Sequence, residues 1–220
     1  MIKAIFFDLD GTLLNSLKVW EKVDECFLHR RNIEVPRDYQ EALLHLRFPE
    51  AAEYTIERFK LNETKEAIMD EWMMEAKRFY QQEVSLKKGA KEFIQWLKEK
   101  NYQLGILTSC HQELFEPCLK KHGIWEYFDC IVEANQVHLS KKEKEIYQYA
   151  LKQVGLKGEE CLFFDDVTSS IQAASSVKMN TIAVCDPHSY DGQVKQWALY
   201  EIEDFSNLAD LEAIIKKMNA

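Results

Sequence analysis

Apolar residues recur along this chain in two rhythms. Five short, nearly continuous runs, at residues 2–7, 104–107, 130–132, 161–164 and 181–184, have the length and composition of strands buried on both faces. Between and after them, residues 91–100, 112–122, 141–154, 169–177 and 208–218 carry apolar side chains at three- and four-residue steps, the spacing of one helical face. Strand alternating with helix predicts a doubly wound α/β fold around a parallel sheet.

One interval breaks the alternation. Residues 15–83 hold helical patterns and no convincing strand: Leu17, Trp20, Val23, Phe27 and Leu28 form one apolar stripe, and Ile68, Trp72, Met73, Ala76, Phe79 and Tyr80 another. These aromatics and methionines read as helix-packing core. The expected organisation is a catalytic core of residues 1–14 and 84–220, with an all-helical module at 15–83 inserted after the first strand. Its two crossings, near residues 14–16 and 84–89, are expected to act as hinges that close the module over the strand ends.

Composition narrows the function classes. With 46% hydrophobic residues the chain can bury a sizeable core, and no apolar run approaches the roughly 18 residues a membrane span needs. The acidic residues that follow so soon after the N-terminus do not fit a signal peptide, so a soluble, cytoplasmic protein is expected. The six cysteines are scattered, without CxxC pairs or zinc-finger histidines, and read as idle thiols. A net charge of −9 with no basic patch argues against a nucleic-acid partner. It also repels phosphate esters, so a phosphate site in this chain needs a local positive field from a metal, a lysine or helix N-termini.

In open α/β sheets ligands bind beyond the carboxyl ends of the strands, and the residues there are polar. The first strand delivers Asp8 and Asp10, the second Thr108 and Ser109, and the fourth Asp165 and Asp166. A carboxylate can attack phosphorus while a second one nearby works as acid and then as base. Carboxylates so close need a cation, and Asp165 and Asp166 suit an oxygen-rich Mg²⁺ site. Ser140 and Glu143 read as a capping box, which places Lys141 in the first turn of the next helix. The macrodipole disfavours a cation there, so Lys141 calls for an anion, either phosphate or the carboxylates. Thr108 and Ser109 can hold a phosphoryl oxygen through a hydroxyl and a backbone N–H.

Four segments together resemble the haloacid dehalogenase superfamily. FFDLDGTLLNS is similar to its first motif, DxDGTLxDS, and LGILTSC to its second; SKKEKEIY is similar to its third, KPxPDIY, and LFFDDVTSSIQAASSVKM to its fourth, an acidic pair leading into a helix. The resemblance implies a Rossmann-like core with a helical cap, as in the subgroup of phosphoglycolate phosphatase and β-phosphoglucomutase. It implies Asp8 as nucleophile, Asp10 as general acid/base, Thr108 as the hydroxyl residue, and Lys141 as the third-motif lysine. Asp8, Asp10, Asp165 and Asp166 are implied at the Mg²⁺ site. Val167, Ser170 and Lys178 depart from the fourth motif's frequent serine and glycines, and Asn15 stands where Asp is frequent.

The expected activity is hydrolysis of a small phosphorylated metabolite through a phospho-aspartate, by a monomer or weak homodimer. A β-phosphoglucomutase-like sugar phosphomutase is the alternative, and a non-catalytic binding protein on the same fold ranks below it. Caps of the mutase type carry a histidine on the first cap helix where this chain has Trp20, which favours the hydrolase. Arg47 is the cap candidate for touching an anionic or hydroxylated substrate.

Overall fold

The computed structural model describes residues 1–43, 46, 48–189 and 192–219. The chain forms two compact units, Met1–Leu17 with Val84–Ala220, and Lys18–Glu83. In chain order the first unit contributes β1 (Ala4–Phe7), and the second then supplies α1 (Val19–His29), α2 (Arg37–Leu43), α3 (Phe48–Phe59) and α4 (Lys65–Gln82). The first unit continues with α5 (Ala90–Glu99), β2 (Gln103–Thr108), α6 (Gln112–His122), β3 (Cys130–Glu133), α7 (Lys144–Val154), β4 (Cys161–Asp165), α8 (Thr168–Ser176), β5 (Asn180–Val184), β6 (Tyr200–Ile202) and α9 (Leu208–Met218).

The six strands pair in the order β3-β2-β1-β4-β5-β6, and every pairing is parallel. The chain therefore winds outward from β1 to β3, then returns to β4 on the other side of β1. Alternation along the central strands divides the core into two layers. Phe6 and Phe163 lie in one layer with Tyr147 and Ala150 of α7 and Ala174 of α8. Phe7 and Phe164 stack at 5.0 Å and meet Phe93 of α5 edge-on in the other. These aromatics are fully buried, and each contributes roughly 1.5–3 kcal/mol by leaving water. Gly105 on β2 permits the close approach of β1, because a Cβ there would lie 2.4 Å from the Phe6 ring.

Two expectations need correction. The helix expected from residue 141 begins at Lys144, after Glu143 with extended backbone. Ser140 forms a turn instead: its carbonyl accepts the Glu143 N–H and its hydroxyl the Lys142 N–H, so no capping box forms. Trp20, expected in the helix-packing core, is 38% exposed and meets Phe48 edge-on at 5.6 Å, whereas Val23, Phe27 and Leu28 of the same stripe are buried. The second unit otherwise packs as its stripes indicate, with Trp72 of α4 against Phe27 of α1 at 5.5 Å.

Outside both units' helices, the segments that leave and re-enter the first unit pair with each other. Leu14 and Leu86 form an antiparallel bridge, the Asn15 N–H donates to Ser85 O, and the Lys87 N–H donates to Leu13 O. Among the described residues no helix is long and apolar enough to cross a membrane. All six cysteines are free thiols.

Candidate active site

The register of β1 against β4 sets Phe7 beside Phe164, so the chain delivers Asp8 and Asp165 from adjacent strand ends at the point where the winding direction reverses. The Asp8 N–H donates to Phe164 O at 2.9 Å, continuing the ladder up to the site. Beyond Asp8 the chain closes a tight loop in which Leu9 O accepts the N–H groups of Thr12, Leu13 and Leu14. Gly11 occupies the left-handed region at φ +78°, and a Cβ there would lie 2.3 Å from Asp166 Oδ2. Both facts require glycine at this position.

Asp8, Asp165 and Asp166 are all buried, and one carboxylate oxygen of each lies within 4.8 Å of the others. Lys141 is buried among them, with Nζ 2.9 Å from Asp8 Oδ1 and 2.7 Å from Asp165 Oδ2. Its carbonyl accepts the Tyr147 hydroxyl from α7 at 2.9 Å. Lys141 thus reaches the carboxylates from a turn ahead of the helix. Burial alone would depress its pKa, but the charges of Asp165 and Asp8 outweigh burial and raise it. Asp165 and Asp166 are both pushed above the usual carboxylate range by burial, with the neighbouring Asp8 charge acting in the same direction. For Asp165 the Lys141 ammonium opposes that rise, and for Asp166 the hydroxyls of Ser189 and Thr12 do so as well.

With all three carboxylates ionised, the Lys141 ammonium leaves two negative charges in excess in a buried space, and burial raises Asp165 and Asp166 for want of a further cation. Asp166 Oδ1 accepts the Thr12 hydroxyl at 2.9 Å, while its buried Oδ2 has no hydrogen bond of sound geometry. Asp165 Oδ1 accepts the Val167 N–H at 2.8 Å. An all-oxygen donor set with an unmet oxygen and that charge excess fits a hard divalent cation such as Mg²⁺. Among the described residues the Asp10 carboxylate is not one of this group: it lies half-buried, and its Oδ1 accepts the Ser16 hydroxyl at 2.6 Å.

Thr108, at the end of β2, is buried, and its hydroxyl accepts the Cys110 N–H at 3.2 Å while retaining a proton to donate. Ser109 is exposed, and its carbonyl accepts the Asn135 side chain at 3.0 Å. Arg47 lies outside the described residues. Thr12, Ser16, Tyr147 and Ser189 were not singled out from the sequence. The first two sit inside the first motif, so their place in it was the available signal; Ser189 lies in a loop with no periodic or motif signal.

Residues 5–184 match the family model for haloacid dehalogenase-like hydrolases. A phosphorylated carbohydrates phosphatase from Thermotoga maritima is 27% identical over 194 residues, covering 82% of this chain and 84% of that protein. Pyrophosphatase PpaX from Bacillus cereus is 30% identical over 193 residues and covers 83% of each. The solved structure of a putative beta-phosphoglucomutase from Thermotoga maritima superimposes with a TM-score of 0.85 at 21% identity, covering 97% of this chain and 100% of that one.

Proposed function

Since the chain belongs to the haloacid dehalogenase-like hydrolase family, we propose that it is a Mg²⁺-dependent phosphatase that cleaves a small phosphomonoester through a phospho-aspartate on Asp8. The observation that carries this reading is the buried cluster of Asp8, Asp165 and Asp166 around Lys141, in which three carboxyl groups share one ammonium. Asp8, Asp165 and Asp166 would hold the cation, which when bound supplies positive charge against the phosphoryl oxygens.

The chain's own groups carry the remaining chemistry. Lys141, gripping Asp8 and Asp165, orients the Asp8 carboxylate for attack on phosphorus. Thr108, with its hydroxyl proton available, donates to a phosphoryl oxygen, and Ser109 adds a polar edge. Asp10, its carboxyl fixed by Ser16, protonates the departing alcohol oxygen and then takes a proton from the water that hydrolyses the acyl phosphate. Proton bookkeeping balances over the two steps, because the proton lost to the alcohol is regained from water.

The phosphatase relatives support hydrolysis, and Trp20 supports it over the mutase, since indole does not titrate near neutral pH and cannot act as acid or base where a mutase-type cap carries histidine. Their names make phosphorylated sugars and inorganic pyrophosphate the first compounds to test, beside nucleotides and phosphoglycolate. Phosphate release that is abolished by EDTA and restored by Mg²⁺ is expected with at least one of them. In a parallel arm, β-glucose 1-phosphate is supplied with a trace of glucose 1,6-bisphosphate. Rapid accumulation of glucose 6-phosphate with little free phosphate would overturn the hydrolase reading in favour of the mutase.

A further inference from the structure

The end of β3 holds the end of β2 through three successive residues. Register sets Glu133 beside Thr108, and the Ala134 N–H donates to Thr108 O at 2.8 Å. Asn135 then donates a side-chain N–H to Ser109 O at 3.0 Å. Glu133 reaches furthest along the loop: its Oε2 accepts the Gln112 N–H at 3.0 Å, and its Oε1 lies 3.2 Å from His111 Nδ1. Gln112 opens α6, and its N–H is one of the donors that a helix start leaves without an internal partner. The residue before it, His111, has extended backbone and makes no side-chain cap of its own. A serine, threonine, aspartate or asparagine at position 111 would satisfy one of these donors locally. Here the cap comes instead from a strand 21 positions away, and the Glu133 carboxylate is buried where it provides it.

A buried carboxylate is unfavourable unless hydrogen bonds and a positive field compensate it. The start of α6 offers both, through the Gln112 N–H and the helix dipole. What the arrangement yields is position, because it ties residues 109–112 to the sheet at both ends of the loop. Within that loop the Cys110 N–H donates to the Thr108 hydroxyl oxygen at 3.2 Å, so the course of the loop sets where the Thr108 proton can point. We propose that Glu133 is a positioning residue for the phosphoryl-binding end of β2, acting by capping α6 across the sheet. This rests on the reading of Thr108 and Ser109 as phosphoryl contacts in a phosphatase. Charge alone makes the opposite prediction. Because β3 lies two strand spacings from β1, roughly 10 Å, the carboxylate would weakly repel a phosphate held at Asp8, and removing it would tighten binding.

The test is binding of inorganic phosphate to the full chain with Mg²⁺, measured by calorimetry, beside hydrolysis of p-nitrophenyl phosphate. Glu133→Ala is expected to raise the phosphate Kd and the KM together, about tenfold, with kcat within about twofold of wild type, the signature of binding lost equally from ground and transition states. Glu133→Gln keeps an oxygen for the Gln112 N–H and should restore both constants to within about threefold of wild type. Asn135→Ala, at an exposed side chain, should move both in the same direction by less, about two- to threefold. Partial unfolding does not give this pattern, since it lowers the active fraction and therefore kcat while leaving KM unchanged. Phosphate binding in Glu133→Ala at least as tight as in wild type overturns the inference. An equal loss in Glu133→Gln does so too, because either result makes charge and not the cap the cause. Where circular dichroism shows Glu133→Ala to be unfolded, unchanged constants in Asn135→Ala overturn it. A wild type that neither binds phosphate nor hydrolyses the ester overturns the phosphatase reading as well.

Discussion

Asp24 gives the helical unit a stability that depends on pH. The residue lies on the buried side of α1 between Val23 and the following turn, 8% exposed, and burial, with Glu21 and Glu25 adding repulsion, pushes its pKa from 3.8 up to about 7. A folded pKa above the unfolded one means that the folded state holds the proton more tightly. The stabilisation is therefore complete below about pH 4, declines as pH rises between the two values, and is gone above about pH 7. At about 1.4 kcal/mol for each pH unit the difference amounts to roughly 4 kcal/mol, or about 2 to 4 kcal/mol once partial solvation of the carboxylate is allowed for. Asp24→Asn keeps the shape and stays neutral at every pH. The variant should match wild type near pH 4 and exceed it by that amount at pH 8. Urea unfolding in EDTA at pH 5, 6, 7 and 8, read from tryptophan fluorescence, measures it, since Trp72 packs on Phe27 of the same helix as Asp24. Titration of Asp165 and Asp166 affects both proteins alike and cancels in the difference. A difference between variant and wild type that stays flat from pH 5 to 8 would refute the assignment of a buried, reluctantly ionised carboxyl to Asp24.

Three further outcomes are expected. Asp8→Asn should abolish phosphate release with the circular dichroism spectrum unchanged, because the amide keeps the shape and loses the nucleophile; retained turnover in contaminant-free protein would sink the phospho-aspartate mechanism. Asp166→Ala should weaken Mg²⁺ binding more than Asp165→Ala, since Asp166 Oδ2 has no sound hydrogen bond while Asp165 is engaged by Lys141 and the Val167 N–H; calorimetric titration giving the reverse order would reassign the principal ligand. Gly11→Ala should cost about 1 kcal/mol or more in unfolding free energy and weaken Mg²⁺ binding, because it strains a positive φ and drives a methyl into Asp166; wild-type values for both would contradict the loop geometry.

The sheet was legible because strands buried on both faces are written as unbroken apolar runs, and pairs such as Phe6–Phe7 and Phe163–Phe164 serve both layers at once. β6 escaped because it is a three-residue edge strand, half-buried throughout, with Glu201 at its centre. The strand-end carboxylates were visible as polar residues interrupting apolar runs. Lys141 was visible as a cation in an odd place, although the place was wrong: a capping box is a local signal, and the ion pairs with Asp8 and Asp165 hold the residue out of the helix. For the hydroxyl of Thr12 the sequence offered only its place inside the first motif: its partner, Asp166, lies 154 positions along the chain, and no local pattern names that partner.

The small ladder formed by Leu13–Asn15 and Ser85–Lys87 has a consequence for how such a chain can change over time. Two antiparallel segments at a strand spacing of roughly 5 Å are the base of a hairpin, and a hairpin can be closed by a turn of two to five residues as readily as by a domain. Everything between them is, topologically, one oversized loop. Lengthening such a loop costs only about 0.6 kcal/mol per doubling. The helical segment can therefore be exchanged, enlarged or trimmed without disturbing the register of β1, so that the portion of the gene encoding it is free to diverge while the strand ends and their carboxylates stay as they are.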